Sequence, residues 1–182
     1  MRKEQLAINT LVFLQQLKNG TLQEELLEPI NQLGIRTIEI RREFIRDFKS
    51  ELVAIREQAE KYNMNLFYSV PGELYQSGEL LYTDLKEYFT EAVTMGAKQI
   101  KLCIGDYVKV KEEDVVRVNK LCEEHKIGLT IENDQTVFNG KSDKIYRFLN
   151  EFRSMGGKIS ATFDIGNISS DPIYRYCTTW LI

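Results

Sequence analysis

The sequence predicts an α/β protein of the (β/α)8-barrel type, with about six of the β/α units present. Three observations predict it. Strand-like and helix-like runs alternate with a spacing of about thirty residues. One face of the successive strands is polar near their carboxyl ends, while the other is apolar. The G-x-G-x-x-G pattern of open dinucleotide-binding sheets is missing, because Asn9-Thr10-Leu11-Val12 after the first strand holds no glycine.

The expected strands are Leu6–Val12, Thr37–Arg41, Leu66–Val70, Gln99–Ile104, Leu129–Glu132 and Ser160–Asp164. Helical periodicity fills the gaps between them. Leu85, Tyr88, Phe89 and Ala92 share one face, as do Val115, Val118 and Cys122. Ile145, Phe148, Leu149, Phe152 and Met155 form a wider stripe. Thr21 followed by Glu24 reads as a capping box, and Ser142 stands where the helix after the fifth strand begins. Gly34, Gly96, Gly128 and Gly156 fall where helices end and the next strand starts. Pro29 lies inside a helical stretch and should kink it or mark a restart.

Side chains alternate between the two faces of a strand. One face carries Asn9, Glu39 with Arg41, Ser69, Lys101 with Cys103, Glu132 and Asp164. The other carries Ile8, Ile38, Ile40, Tyr68, Ile100, Leu102, Ile131 and Phe163, which should pack on helices. An open parallel sheet covered on both sides would be apolar on both faces. A repeated polar face near the carboxyl ends fits a barrel, whose functional groups gather at that rim.

The composition narrows the function classes. The apolar share is 43%, the charged share 28% and the net charge −3, as in ordinary globular domains. The basic residues are interspersed with acidic ones, which argues against nucleic acid as a partner. The basic start at Met1–Gln5 leads into an apolar run too short to span a bilayer, so no membrane association is expected. Cys103, Cys122 and Cys177 have no paired spacing, which fits buried thiols in a reducing, cytoplasmic setting. His125 is the single histidine and ends a helix, on the rim opposite the polar face, so it reads as a surface residue. A site needing several imidazoles cannot be built from this chain alone.

I-E-N-D at 131–134, F-D-I-G-N at 163–167, I-E-I-R at 38–41 and S-V-P at 69–71 together resemble the xylose-isomerase-like TIM barrels. That superfamily includes sugar isomerases, sugar and sugar-phosphate epimerases and zinc-type apurinic endonucleases. The resemblance covers about residues 5–168. It implies that Glu132 and Asp164 bind a divalent metal, with Mn²⁺ or Mg²⁺ favoured over Zn²⁺ because both donors are carboxylates. It also implies that Glu132 doubles as the acid/base that moves a proton between sugar carbons. Glu132 can alternatively be read as a surface carboxylate ahead of a turn at Asn133-Asp134, and Asp164 as a turn former before Gly166. Glu39 and Arg41 fit either contacts to a small sugar or sugar phosphate, or an internal ion pair. Lys101 fits a ligand anion or simple neutralisation of Glu132. Ser69 and Asn9 are candidate hydrogen-bonding residues for the substrate.

The sequence also departs from that pattern. A full barrel takes about 250 residues, whereas the sixth unit here ends near Asp164. The family's remaining ligands, on the seventh and eighth strands, have no counterpart, so any metal should be weakly held. Asn167 stands where some members carry histidine, and the endonuclease branch is set aside on its need for a histidine cluster. Residues 1–168 therefore read as a partial barrel. Residues 169–182 read as an atypical tail, in which Ser170-Asp171-Pro172 could start a helix and the remainder looks cut or shifted out of frame. Unpaired first and sixth strands predict a homo-oligomer formed through strand edges, a gap plugged by the tail, or marginal stability. Two function classes follow: a metal-assisted sugar or sugar-phosphate isomerase or epimerase, and a catalytically incompetent barrel that serves as a binding or interaction module.

Overall fold

A computed structural model describes residues 6–133 and 141–164. The strands are β1 (Ala7–Asn9), β2 (Thr37–Arg41), β3 (Asn65–Gln76), β4 (Glu79–Leu80), β5 (Gln99–Gly105), β6 (Gly128–Glu132) and β7 (Ser160–Thr162). The helices are α1 (Leu14–Lys18), α2 (Leu27–Gln32), α3 (Glu51–Tyr62), α4 (Tyr82–Met95), α5 (Glu112–His125) and α6 (Ser142–Ser154). The sheet runs β1-β2-β3-β5-β6-β7 with every neighbour parallel, and β4 folds back antiparallel on β3. The six parallel strands curl into an incomplete (β/α) barrel, with β1 and β7 at the ends of the described path.

The alternation of faces explains the curl. Ile38, Ile40, Leu66, Tyr68, Ile100, Leu102, Leu129 and Ile131 are buried against the helical layer. Leu85, Phe89 and Ala92 of α4 are buried in that layer, as are Val115 and Val118 of α5 and Ile145, Phe148 and Phe152 of α6. Burying each such side chain contributes about 1.5–3 kcal/mol. The outer face of the sheet is therefore fixed by the hydrophobic effect, which leaves the polar residues on the concave side.

Several local expectations need correction. The first strand stops at Asn9, whose side chain accepts from the Leu11 amide at 2.8 Å and opens a 3-10 turn over Thr10–Phe13. The third strand runs six residues past Val70, to Gln76, and then reverses through Ser77-Gly78, both with positive φ, into β4. The capping interaction lies one residue later than the Thr21/Glu24 pattern: the Leu22 amide donates to the Glu25 carboxylate at 2.6 Å. After α5 it is Lys126, not a glycine, that takes the left-handed conformation, while Gly128 begins β6 as expected. Phe163 is 54% exposed rather than packed on a helix, and Met155 is also exposed. Cys103 and Cys122 are only partly buried. Pro29 does mark a restart: a 3-10 segment (Gln23–Leu26) gives way to α2, and Pro29 sits in its first turn, where an amide hydrogen would lack a helical acceptor anyway. Asp134, Ile165, Gly166, Asn167, Cys177, the Ser170–Pro172 start and the 169–182 tail lie outside the described residues.

Gly105 holds the hairpin arm in place. Its φ is +78°, and an added Cβ would collide with the Tyr75 carbonyl oxygen. That carbonyl accepts from the Asp106 amide at 3.0 Å. The close approach of β5 to the far end of β3 thus requires glycine at this position.

Candidate active site on the concave face

Asn9 of β1 lies directly opposite Glu39 of β2. Arg41, Ser69, Lys101 and Thr130 form one row across β2, β3, β5 and β6. Lys101 hydrogen-bonds outside its own row. Its Nζ lies 2.8 Å from Glu39 Oε1 and 2.7 Å from Glu132 Oε1. Glu39 is one pleat earlier on β2, and Glu132 one pleat later on β6. The contacts therefore run obliquely over the strands, as strand tilt in a barrel requires. Asn9 Nδ2 donates to the same Glu39 oxygen at 2.6 Å. A polar chain Asn9–Glu39–Lys101–Glu132 thus crosses the concave face.

Lys101 reaches Glu39 over β3, two strand spacings or roughly 10 Å away in a flat sheet. Only the curl brings the two groups into contact. The lysine side chain is 8% exposed, Glu39 14% and Glu132 20%. Burial alone would lower the Lys101 ammonium, but the hydrogen bonds to Glu132 and Glu39 outweigh it, and the net shift is upward. Burial raises the Glu132 carboxyl above its usual range; Lys101 pulls it back in part, while Glu39 and Asp164 push it higher.

Glu132 and Asp164 are brought to the same rim. Glu132 is paired with Thr162, and the Thr130 and Thr162 hydroxyls are 2.9 Å apart. Two residues on, the Asp164 amide donates to Asn133 Oδ1 at 2.8 Å, and Asn133 Nδ2 donates back to the Asp164 carbonyl at 3.0 Å. The Asn133 side chain continues the parallel ladder after the backbone pairing has stopped.

Arg41 does not join the polar chain. Its guanidinium pairs with Glu43 at 2.5 Å, so the internal partner of Glu39 is Lys101. The Arg41 backbone is held at both ends by Gln23, whose Nε2 donates to Arg41 O and whose Oε1 accepts from Arg41 N, each at 2.9 Å. Thr10 Oγ1 donates to the same Gln23 oxygen at 2.7 Å. Ser69 is buried in the Lys101 row. Cys103 shares the Lys101 face, and its register partner is Glu73. His125 ends α5, is exposed, and lies with its ring centroid 5.7 Å from that of Phe89, away from the concave face.

Three residues escaped the sequence reading. Glu73 keeps the parity of Ser69 and pairs with Cys103 after a register shift, but it lies on the part of β3 beyond Val70, where the expected strand had ended. Gln23 lies on a 3-10 segment with no periodic signal. Asn133 looks like a turn residue in sequence, yet it is buried.

No family model matches the chain, and no curated protein matches it. Solved structures do. A xylose isomerase domain containing protein from Salmonella typhimurium LT2 superposes with a TM-score of 0.66 at 17% identity, covering 88% of this chain and 60% of its own. The fold is that of the xylose-isomerase-like barrels. D-psicose 3-epimerase, solved in the presence of D-fructose, matches with a TM-score of 0.65 at 13% identity, covering 84% of this chain and 61% of that one. D-allulose 3-epimerase from Methylomonas sp. matches at 0.65 and 11% identity, covering 94% and 66%. The chain thus spans between three fifths and two thirds of the length of these solved structures.

The divalent ion implied by the resemblance meets a competitor in this incomplete barrel. Glu132 at the end of β6 and Asp164 just beyond β7 supply hard oxygen donors, but Glu132 Oε1 already accepts from the Lys101 ammonium. Among the described residues, no group of three or more His, Cys, Asp or Glu side chains converges to hold a metal ion. A dication at Glu132 would face a like charge within a few ångströms, in a partly dry site where that repulsion is strong. The described donor set therefore does not fit a divalent ion.

Proposed function

We propose that the concave face carries out proton transfer on a small sugar or sugar phosphate, as an isomerase or epimerase. The observation that supports this reading best is the pairing of Glu132 with Lys101 at the carboxyl rim. A partly buried carboxyl raised above its usual range is suited to take and return a proton. An ammonium hydrogen-bonded to it can stabilise negative charge developing on a neighbouring oxygen. Glu39 and Asn9 supply further groups of the polar chain, and Ser69 and Arg41 complete the rim that would meet the sugar hydroxyls. The solved epimerases that share the fold act as the analogy for substrate class.

The test is turnover on a panel of free and phosphorylated ketoses, with and without Mn²⁺, beside the Glu132→Gln variant. Isomerised or epimerised product from the unmodified chain, lost in the variant, is expected. No product above the variant's background would overturn the reading.

The same reading includes a cytoplasmic setting, in keeping with the wide, unpaired spacing of the three cysteines. No described helix is long and apolar enough to cross a membrane. It also includes self-association through the edges of β1 and β7. Light scattering that stays at the monomer mass as the concentration rises would count against that assembly.

A further inference from the structure

Lys101 stands in an unusual electrostatic position. It is a buried ammonium inserted between two carboxylates, at 2.8 and 2.7 Å, which come from strands on either side of it in the sheet. Without it, Glu39 and Glu132 would face each other across a partly dry groove with no other described cation bonded to either. Arg41 is committed to Glu43, and Arg42 lies behind the sheet on Glu87 and Glu91.

We propose that Lys101 is the resident cation of the concave face: its ammonium takes the electrostatic place of a divalent ion and keeps one from binding at Glu132. The inference deepens the isomerase or epimerase reading by naming what polarises the sugar carbonyl, and it rests on that reading for the chemistry alone. In the proposed step, the Glu132 carboxylate takes the proton from the carbon beside the carbonyl. The C–H electron pair becomes the carbon–carbon double bond, and the carbonyl π pair moves onto oxygen. Lys101 stabilises that oxygen by a charge-assisted hydrogen bond. Return of the proton to either face of the same carbon restores the original carbonyl. Return to the former carbonyl carbon, with the proton of the neighbouring hydroxyl passing to the enolate oxygen, gives the isomer whose carbonyl has moved by one position. The cycle needs no oxidant or reductant.

The consequence for metal binding is independent of activity. The Lys101→Met/Glu39→Gln double variant removes one charge of each sign, which limits the destabilisation, and it uncovers Glu132 beside Asp164. Calorimetric titration with Mn²⁺ should show no saturable binding to the unmodified chain. The double variant should gain affinity by about tenfold or more, and adding Glu132→Gln should abolish the gain. Saturable Mn²⁺ binding by the unmodified chain that Glu132→Gln removes would overturn the proposal. So would a folded double variant that gains nothing.

A second measurement needs no substitution. Lysine side-chain NMR of the unmodified chain should show one slowly exchanging ammonium that excess Mn²⁺ does not broaden, and its absence would equally overturn the proposal. Uptake of solvent deuterium by a ketose in the presence of a chelator separates the two readings. Exchange that persists under chelation supports Lys101, and exchange that requires Mn²⁺ rules it out. No exchange under any condition removes the enzymatic reading, while the Mn²⁺ titration still decides the place of Lys101.

Discussion

Asn133 grips the backbone of Asp164 at both of its polar side-chain atoms, accepting from its amide at 2.8 Å and donating to its carbonyl at 3.0 Å. The carboxamide acts as one more rung of the β6–β7 ladder, and it sets where the Asp164 side chain leaves the sheet relative to Glu132. Asn133→Ala should lose both bonds and leave the Asp164 backbone groups without that partner, at a cost of about 1–3 kcal/mol. Urea midpoints of the two proteins measure it. A midpoint unchanged by Asn133→Ala would mean that the ladder extension adds no stability.

Lys101→Met should be costly in a different way. Removing the ammonium leaves Glu39 and Glu132 buried and uncompensated, and breaking such a pair costs about 3–5 kcal/mol. Glu132→Gln should cost less, because the ammonium keeps Glu39. Chemical denaturation of the three proteins at neutral pH orders them.

The lysine also gives a pH signature. Its folded pKa is raised, so the folded state holds the proton more tightly than the unfolded chain. The stabilisation is fully present below the unfolded value of 10.5 and is lost as pH rises through the folded one. The stability gap between the unmodified chain and Lys101→Met should therefore hold steady up to pH 10.5 and narrow only as the pH rises above it. A gap that stays constant above that value would contradict the assignment.

On the outer face, Glu91 takes a bidentate pair from Arg42 at 2.8 and 2.9 Å and the Tyr68 hydroxyl at 2.5 Å. Burial, followed by the Glu91 bond, raises the Tyr68 phenol. Glu91→Ala should cost about 3 kcal/mol or more by leaving the buried Tyr68 hydroxyl without its acceptor and the partly buried guanidinium with Glu87 alone. Glu91→Gln should recover part of this, since it keeps an acceptor. Thermal melts of both variants test the order.

Gly105→Ala should destabilise the hairpin arm by about 2 kcal/mol or more, because both the positive φ and the Tyr75 carbonyl oppose a methyl group. Hydrogen exchange of the β3–β4 amides should accelerate before the rest of the sheet responds.

The alternation of units was readable because each helix-facing strand position is apolar for one reason, burial, and burial leaves a period of two in the sequence. Ile38, Ile40, Ile100 and Leu102 carry that signal in strands whose register is uninterrupted. The same parity placed Asn9, Glu39, Lys101 and Glu132 on one face. What could not be read was which of these groups touch. Lys101 reaches Glu39 only because the sheet curls, and curvature leaves no mark in a strand pattern. Glu73 was missed because β3 continues through Pro71 to Gln76, and a proline after Val70 reads as the end of a strand. Phe163 was misassigned because its pattern is that of a covered strand, while it lies beyond the end of β7 and is 54% exposed.

The polar chain also bears on how the molecule assembles. Asn9 and Glu39 are 30 positions apart, Glu39 and Lys101 62, and Lys101 and Glu132 31. None of these bonds can form within a single β/α unit, whereas the apolar helix–strand contacts can. Local units can therefore collapse first, with the charged groups still hydrated, and the concave surface dries only when all four strands are in register. Such long-range closure is slow compared with local pairing. The concave groove is then the last surface to lose its water on folding, and the first to regain it when the strands separate.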